Sequence, residues 1–136
     1  MDKVEPFIEV DDLPDSDQHL LLKLSGGADS SIVYYALCEK FKDRDNVKIV
    51  LVTLDTDIKN QSIATAQRII QIVGNLTGKY PIDHITKKVK DSELMYTKGQ
   101  EQLTRIAYKT YPINKMYSGI TINPNVKSFR KFVKKK

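Results

Sequence analysis

The segment Leu20-Leu-Leu-Lys-Leu-Ser-Gly-Gly-Ala-Asp-Ser-Ser31 decides the fold, because an apolar run ends there at two glycines and the start of a helix. The leucines of 20–24 predict a buried strand, and Gly26-Gly27 allow the backbone to turn sharply and to approach a ligand closely. Ser30 and Ser31 then begin a helix. The first amides of a helix lack internal partners and its dipole is positive at that end, so the segment predicts a site for an anion such as phosphate.

Polar side chains accompany these glycines. Ser25, Ser30 and Ser31 add hydroxyl donors, whereas Asp29 is an unusual neighbour for a phosphate group. A carboxylate beside polyphosphate makes chemical sense with a cation between them, and Mg²⁺ is commonly held by one carboxylate together with phosphate oxygens. Asp29 is therefore a candidate magnesium ligand.

The string Ser25-Gly-Gly-Ala-Asp-Ser30 matches the S-G-G-x-D-S loop of the PP-loop ATP pyrophosphatases, also called adenine nucleotide α-hydrolases, and the chain resembles that superfamily. It fits neither the G-x-x-x-x-G-K-[ST] loop nor the dinucleotide fingerprint G-x-G-x-x-G. The superfamily includes GMP synthetase, asparagine synthetase, NAD synthetase, 7-cyano-7-deazaguanine synthase and the tRNA-thiolating and lysidine-forming enzymes. An ordinary polar turn with a helix cap is the weaker interpretation, because the strand and the helix that the loop requires are both predicted.

Apolar periodicity predicts strands that alternate with helices. The strands are expected over 19–24, 47–54, 83–89 and 115–122, and the helices over 29–42, 60–77 and 92–110. The expected apolar stripes are Ile32, Val33, Ala36, Leu37 and Phe41; Ile63, Ala66, Ile69, Ile70 and Val73; and Leu94, Leu103, Ile106 and Ala107. This order predicts an α/β fold with a parallel sheet, helices on both faces and right-handed crossovers. The resemblance implies a three-layer, Rossmann-like α/β/α arrangement with strand order 3-2-1-4(-5).

Ligands of open α/β sheets collect outside the carboxyl ends of the strands, so Leu54 and Asp55 should lie beside the glycine loop. The resemblance implies contacts of adenine and ribose with the ends of the first two strands. It also places strands one and four side by side, so the fourth strand would contact the nucleotide from the other side. The nucleotide-binding set is Leu24, Ser25, Gly26, Gly27, Asp29, Ser30, Ser31, Thr53, Leu54, Asp55 and Gly119, with Thr121 and Asn123 beside it.

Several of these residues have a second interpretation. Asp55 and Asp57 are also suited to capping the next helix. For Asp55 both interpretations stand, and for Asp57 the cap is favoured. Gly119, Thr121 and Asn123 equally suit a strand end and turn.

The resemblance implies cleavage of ATP between the α and β phosphates, adenylation of an acceptor and release of pyrophosphate. Ser25, Asp29 and Ser30 are the predicted catalytic residues, acting by positioning and charge neutralisation while an acceptor oxygen attacks the α-phosphorus. ATP and Mg²⁺ are the expected cofactors, and the acceptor is unidentified. The alternative is an adenine-nucleotide-binding module without chemistry, or a subunit whose site is completed by a partner chain or a second copy.

A single cysteine, Cys38, excludes an internal disulfide and any Cys-x-x-Cys site. It argues against a zinc-bearing deazaguanine enzyme, thiolation through paired cysteines and a phosphosulfate reductase, and no cysteine follows Met1 as in a built-in glutaminase. Cys38 is expected in the core, and His84 is not expected to bind a metal. No apolar run approaches the roughly 20 residues that span a bilayer, and no signal peptide is seen. The expected location is the cytoplasm, away from membranes.

The two ends of the chain carry opposite charge, although the net charge is +5. We expect an acidic lead-in over 1–18, a nucleotide-binding domain over 19–125 and a basic tail over 126–136. The tail's basic residues are Lys127, Arg130, Lys131, Lys134, Lys135 and Lys136, interleaved with Phe129 and Phe132. The favoured interpretation is that both charged ends are flexible and exposed to solvent. The alternative is that the tail contacts tRNA or another nucleic acid. Because superfamily members continue with a fifth strand and an acceptor-recognising region, the resemblance predicts a C-terminally reduced member.

Overall fold

The computed structural model describes residues 10–117, in which strands and helices alternate. The elements are β1 (Gln18–Lys23), α1 (Ala28–Lys40), β2 (Val47–Thr56), α2 (Ser62–Thr77), β3 (Asp83–Val89), α3 (Glu93–Thr110) and β4 (Lys115–Tyr117). All strand pairs are parallel and their order is β3-β2-β1-β4. The predicted α/β fold and strand order are confirmed. The part of the last predicted strand after Tyr117 lies outside the described residues.

Apart from the end of β4, the predicted boundaries agree with the structure to within two residues, and two of the shifts affect the site. β1 ends at Lys23 rather than at Leu24, although the Leu24 N–H still donates to the Val52 carbonyl at 2.9 Å. β2 continues to Thr56, so Asp55 belongs to the strand instead of following it. The glycine loop therefore begins where the backbone is still held by the central strand pair.

Helices cover both faces of the sheet, as predicted. On one face α1 and α2 pack on the side chains of Leu20, Leu22, Ile49 and Leu51. On the other face, Leu103 and Ala107 of α3 pack on a second set of β1 and β2 side chains: Leu21, Val50, Val52 and Leu54. Burial of nearly every β2 residue is typical of a parallel strand that is covered on both sides.

The predicted burial is wrong for three residues of the apolar stripes, because α1 and α3 bury a different face from the one expected. In α1 the buried residues are Ser30, Val33, Tyr34, Leu37 and Cys38, and Ile32 is 44% exposed. A helix turns by about 100° per residue, which places Ile32 opposite Ser30 and Tyr34. In α3 the residues Gly99, Leu103 and Ala107 face the sheet, while Leu94, on the opposite side from Leu103, and Ile106, on the flank, are exposed. No helix within residues 10–117 is long and apolar enough to cross a membrane.

Arg44 attaches the described part of the acidic lead-in to the domain. Its guanidinium donates hydrogen bonds to the carbonyls of Leu13 (3.0 Å) and Pro14 (2.6 Å) and forms an ion pair with Asp12 at 3.2 Å. Val10 and Leu13 pack against the α1–α2 side of the core. Residues 10–17 are thus packed on the domain rather than separate from it.

Candidate functional site

The glycine loop joins β1 to α1, and its two glycines have different backbone conformations. Gly26 has φ of +85°, a left-handed conformation that favours glycine. Gly27 has φ of −81° and ψ of 169°, which any residue adopts. A Cβ atom on Gly26 would lie 3.2 Å from the Thr65 side chain, so the loop also passes close to α2 at this residue. The sharp turn predicted for the glycine pair is therefore made at Gly26.

The serines form a hydrogen-bonded network that fixes the loop. The Ser25 N–H donates to Ser30 Oγ at 3.1 Å, and the two hydroxyl oxygens are 3.0 Å apart. The Ser31 hydroxyl donates to the Gly27 carbonyl at 2.7 Å. Ser30 is buried whereas Ser25 is exposed. The Ser30 hydroxyl therefore shapes the loop, and Ser25 is the serine whose side chain is open to a ligand.

The three helices in the described part of the chain differ at their N-termini. The first amides of α2, at Ser62 and Ile63, donate to the Asp55 carboxylate at 2.8 and 3.3 Å. At the start of α3 the Ser92 hydroxyl accepts the Met95 N–H at 3.1 Å. The N-cap of α1 is Gly27, and no side chain within residues 10–117 forms a hydrogen bond that caps that helix. Its first-turn amides are thus the ones left for an external acceptor, which makes this end suited to an anion.

A groove of about 440 Å³ lies beside this uncapped helix end. Its lining joins the glycine loop to the segment between β2 and α2: Ser25, Gly26, Gly27, Ile58, Lys59, Asn60, Gln61, Ser62 and Thr65. A larger groove of about 640 Å³ runs along α3 and includes none of the glycine-loop residues. The smaller groove is the candidate site because of its polar lining and free amides.

Sequence reasoning missed the wall of the groove formed by residues 58–62 and Thr65. The rule that ligands gather at the carboxyl ends of strands was applied to Asp55 but not to the loop that follows it. Applied to the whole β2–α2 connection, the same rule would have identified Lys59 and Gln61.

The residues predicted to contact adenine and ribose lie at the ends of β1 and β2, next to the loop. Leu24, Thr53, Leu54 and Asp55 are all buried. The Thr53 hydroxyl donates to the Leu24 carbonyl at 2.6 Å, and His84 Nε2 lies 2.7 Å from the same hydroxyl. Since the hydroxyl proton is used on the carbonyl, His84 is the donor of the second bond. The polar side chains of this set are thus engaged inside the protein, and the Leu24 backbone is also bonded, its N–H to the Val52 carbonyl and its carbonyl to the Thr53 hydroxyl.

The structure distinguishes the two aspartates. Asp55 caps α2 through its carboxylate, as one of its two interpretations required. Asp57 instead accepts the Asp91 N–H at 2.8 Å, in the loop before α3, so its predicted role as the cap of α2 is wrong. A strand that extends to Thr56 brings Asp55, not Asp57, under the first turn of α2.

Two groups discussed in the sequence analysis, His84 and Cys38, have shifted pKa values for structural reasons. Burial lowers the pKa of His84 below its usual value, partly opposed by the Asp83 carboxylate. Burial raises the pKa of the Cys38 thiol to about 11, which keeps the thiol protonated and unreactive. Cys38 is fully buried, as expected for a core residue.

A protein-family model described as NAD synthase matches residues 5–124. The chain belongs to the NAD synthase family. This family is one of the PP-loop, adenine nucleotide α-hydrolase-like families, which confirms the resemblance seen in the glycine loop. The match begins within the acidic lead-in and includes every described strand and helix. Comparisons with curated proteins and with solved structures give no match.

NAD synthases use ATP, typically with Mg²⁺. Within residues 10–117 no three Asp, Glu, His or Cys side chains gather as a metal site. Asp29 is exposed in the first turn of α1, two residues after Gly27, and does not line the groove. One carboxylate can suffice where phosphate oxygens supply further ligands, and the role of Asp29 as a magnesium ligand stays a prediction.

Some residues and segments with predicted roles lie outside the described part of the chain. These are Gly119, Thr121 and Asn123, which were expected on the far side of the nucleotide, and the basic tail over 126–136. Their roles stay predictions.

Proposed function

We propose that this chain binds ATP at the glycine loop and cleaves it between the α and β phosphates to adenylate an acceptor. The observation that carries the proposal is the uncapped first turn of α1, which follows Gly27 and borders a polar groove of about 440 Å³. Free helix amides at a glycine turn bind phosphate through geometry that already exists. The use of ATP in the NAD synthase family supports the same assignment.

The proposed reaction divides the work among a few groups. An acceptor oxygen attacks the α-phosphorus, the bond from that phosphorus to the bridging oxygen breaks, and pyrophosphate leaves with the electron pair. The first-turn amides of α1 and the Ser25 hydroxyl bind phosphate oxygens, and Ser30 holds the loop in the binding conformation. Asp29 is the residue that would hold Mg²⁺, which when bound neutralises phosphate charge. Catalysis is thus mainly positioning and electrostatic stabilisation.

Product analysis tests this proposal. Purified protein is incubated with ATP and Mg²⁺, and AMP and pyrophosphate are separated from ADP and phosphate by chromatography. The NAD synthase family suggests ATP-dependent adenylation or amidation, so the first acceptor to add is the carboxylate counterpart of NAD together with ammonium. We expect AMP and pyrophosphate in equal amounts, with an acceptor-dependent rate. ADP and phosphate as the products would refute cleavage at the α–β bond.

A calorimetric titration with ATP and AMP belongs to the same experiment. Binding of ATP without consumption, with every acceptor tested, would identify a nucleotide-binding module, the alternative left open by the sequence. The absence of binding by either nucleotide would refute both functions.

A further inference from the structure

The wall of the groove that faces the glycine loop contains one charged side chain. Among the nine described residues that line the groove, Lys59 is the sole cation and none is acidic. The remaining side chains are small, polar or, in Ile58, aliphatic. A lining without aromatic rings, with amides on one side and an ammonium group on the other, suits phosphate groups better than a nucleobase.

The backbone of Lys59 is fixed at the end of β2. The Lys59 N–H donates to Thr56 Oγ1 at 2.8 Å, and the Thr56 N–H donates to the Lys59 carbonyl at 2.9 Å. Thr56 is itself buried. The Lys59 side chain is exposed, and none of the ion pairs formed between residues 10 and 117 includes it. Its ammonium group is therefore available to an anion in the groove.

The N-terminus of α2 does not supply positive charge to this wall. The Asp55 carboxylate accepts hydrogen bonds from the first amides of α2, and its negative charge offsets the positive end of that helix dipole. Among the described residues, the two sources of positive potential along the groove are then the uncapped start of α1 and the Lys59 ammonium group. Gly27, the N-cap of α1, and Lys59 line the same groove, which suits a ligand with several phosphates.

We propose that Lys59 binds the β and γ phosphates of ATP. The inference rests on the proposed function and assigns the groove between the glycine loop and residues 58–62 to the polyphosphate half of the nucleotide. The adenosine half then lies toward the ends of β1 and β2. Lys59 thereby distinguishes triphosphate and pyrophosphate from AMP, whose single phosphate reaches only the loop amides.

Calorimetric titration of Lys59→Ala with ATP, pyrophosphate and AMP tests the assignment. We expect Kd for ATP and for pyrophosphate to rise roughly tenfold, as for loss of one charge-assisted hydrogen bond, and Kd for AMP to change less than about twofold. Lys59→Arg should retain most of the affinity, and Lys59→Glu should lose more than Lys59→Ala. Thermal unfolding of each variant verifies that the fold is unchanged.

Lys90→Ala is the matched control, because Lys90 is an exposed lysine that follows β3 at the same edge of the sheet but does not line the groove. Its removal should leave all three affinities unchanged. The assignment would be overturned if Lys59→Ala and Lys90→Ala changed the affinities equally. It would also be overturned if Lys59→Ala lost as much affinity for AMP as for pyrophosphate. Wild-type protein that cleaves ATP while Lys59→Ala binds pyrophosphate normally would refute the inference alone. Wild-type protein that binds none of the three ligands would refute the proposed function and the inference with it.

Discussion

At the scale of single residues, the two glycines of the loop show what the motif letters conceal. Both were predicted to allow a sharp turn and a close approach, yet the backbone needs glycine at only one of them. Gly26 has positive φ and contacts α2, whereas Gly27 has an ordinary extended conformation. The letters S-G-G-x-D-S identify the loop but contain no information on φ, so this distinction was not predictable from the sequence.

Gly26→Ala should destabilise the protein more than Gly27→Ala. The left-handed conformation costs a non-glycine residue about 1–2 kcal/mol, and a Cβ atom on Gly26 would also press on Thr65 at 3.2 Å. At Gly27 the nearest contact of a Cβ atom is 3.4 Å, to Ser25 Oγ, and we expect a change within about 0.5 kcal/mol. Urea denaturation of the two variants measures the difference. A larger loss in Gly27→Ala would contradict the backbone geometry described for the loop.

His84 should make stability decrease as the pH falls below 6.5, its ordinary pKa. Burial lowers its pKa in the folded protein, so as the pH falls through 6.5 the unfolded chain takes up a proton first. The contribution of His84 to the free energy of unfolding is therefore complete above pH 6.5 and is lost as the pH falls through the folded-state pKa. His84→Gln keeps an N–H donor for Thr53 but does not titrate. Urea denaturation at several pH values should give a flatter profile for His84→Gln than for the wild type, and parallel profiles would exclude this role of His84.

At the scale of helices and strands, the sequence predicted the elements well because apolar periodicity is local. The first six elements lie within two residues of their predicted bounds, and β4 begins at its predicted residue. The sides of the helices were less predictable, since an apolar residue such as Leu94 matches a stripe equally well whether or not the sheet reaches it. The sequence also did not decide which aspartate caps α2. Asp55 and Asp57 both precede the helix, and the extent of β2 determines that Asp55 lies under its first turn.

Removal of the Asp55 carboxylate should destabilise α2 and separate capping from nucleotide binding. Asp55→Ala leaves the Ser62 and Ile63 amides without their acceptor, at a cost of about 1–2 kcal/mol, whereas Asp55→Asn keeps one carbonyl oxygen and should cost less. Ser92→Ala, which removes the cap of α3, is the comparison variant, with an expected loss of about 1 kcal/mol. A stable Asp55→Asn protein with weakened ATP binding would favour the ribose contact as a second role.

At the scale of the whole molecule, one end of the sheet brings together groups that are distant in sequence. The glycine loop follows β1, and the residues 58–62 that face it follow β2. The parallel order made their proximity predictable, because both connections leave the carboxyl edge of adjacent strands. Which helix keeps free first-turn amides was not predictable. The Ser92 cap of α3 is local, but the cap of α2 comes from Asp55 at the end of β2 and depends on the fold.

ATP should stabilise the entire folded domain by mass action, and Asp29 should control the share that depends on Mg²⁺. A ligand at 100 times its Kd adds about 2.7 kcal/mol to the free energy of unfolding, which raises Tm by several degrees. With Mg²⁺ present the increase should be larger, since the Asp29 carboxylate and the phosphates would then share the ion. In Asp29→Asn the Tm with ATP and Mg²⁺ should fall to the value seen with ATP and a chelator. Asp43→Asn is the control, because Asp43 is an exposed carboxylate just beyond the far end of α1. Persistence of the full magnesium-dependent increase in Asp29→Asn would show that the ion is bound elsewhere.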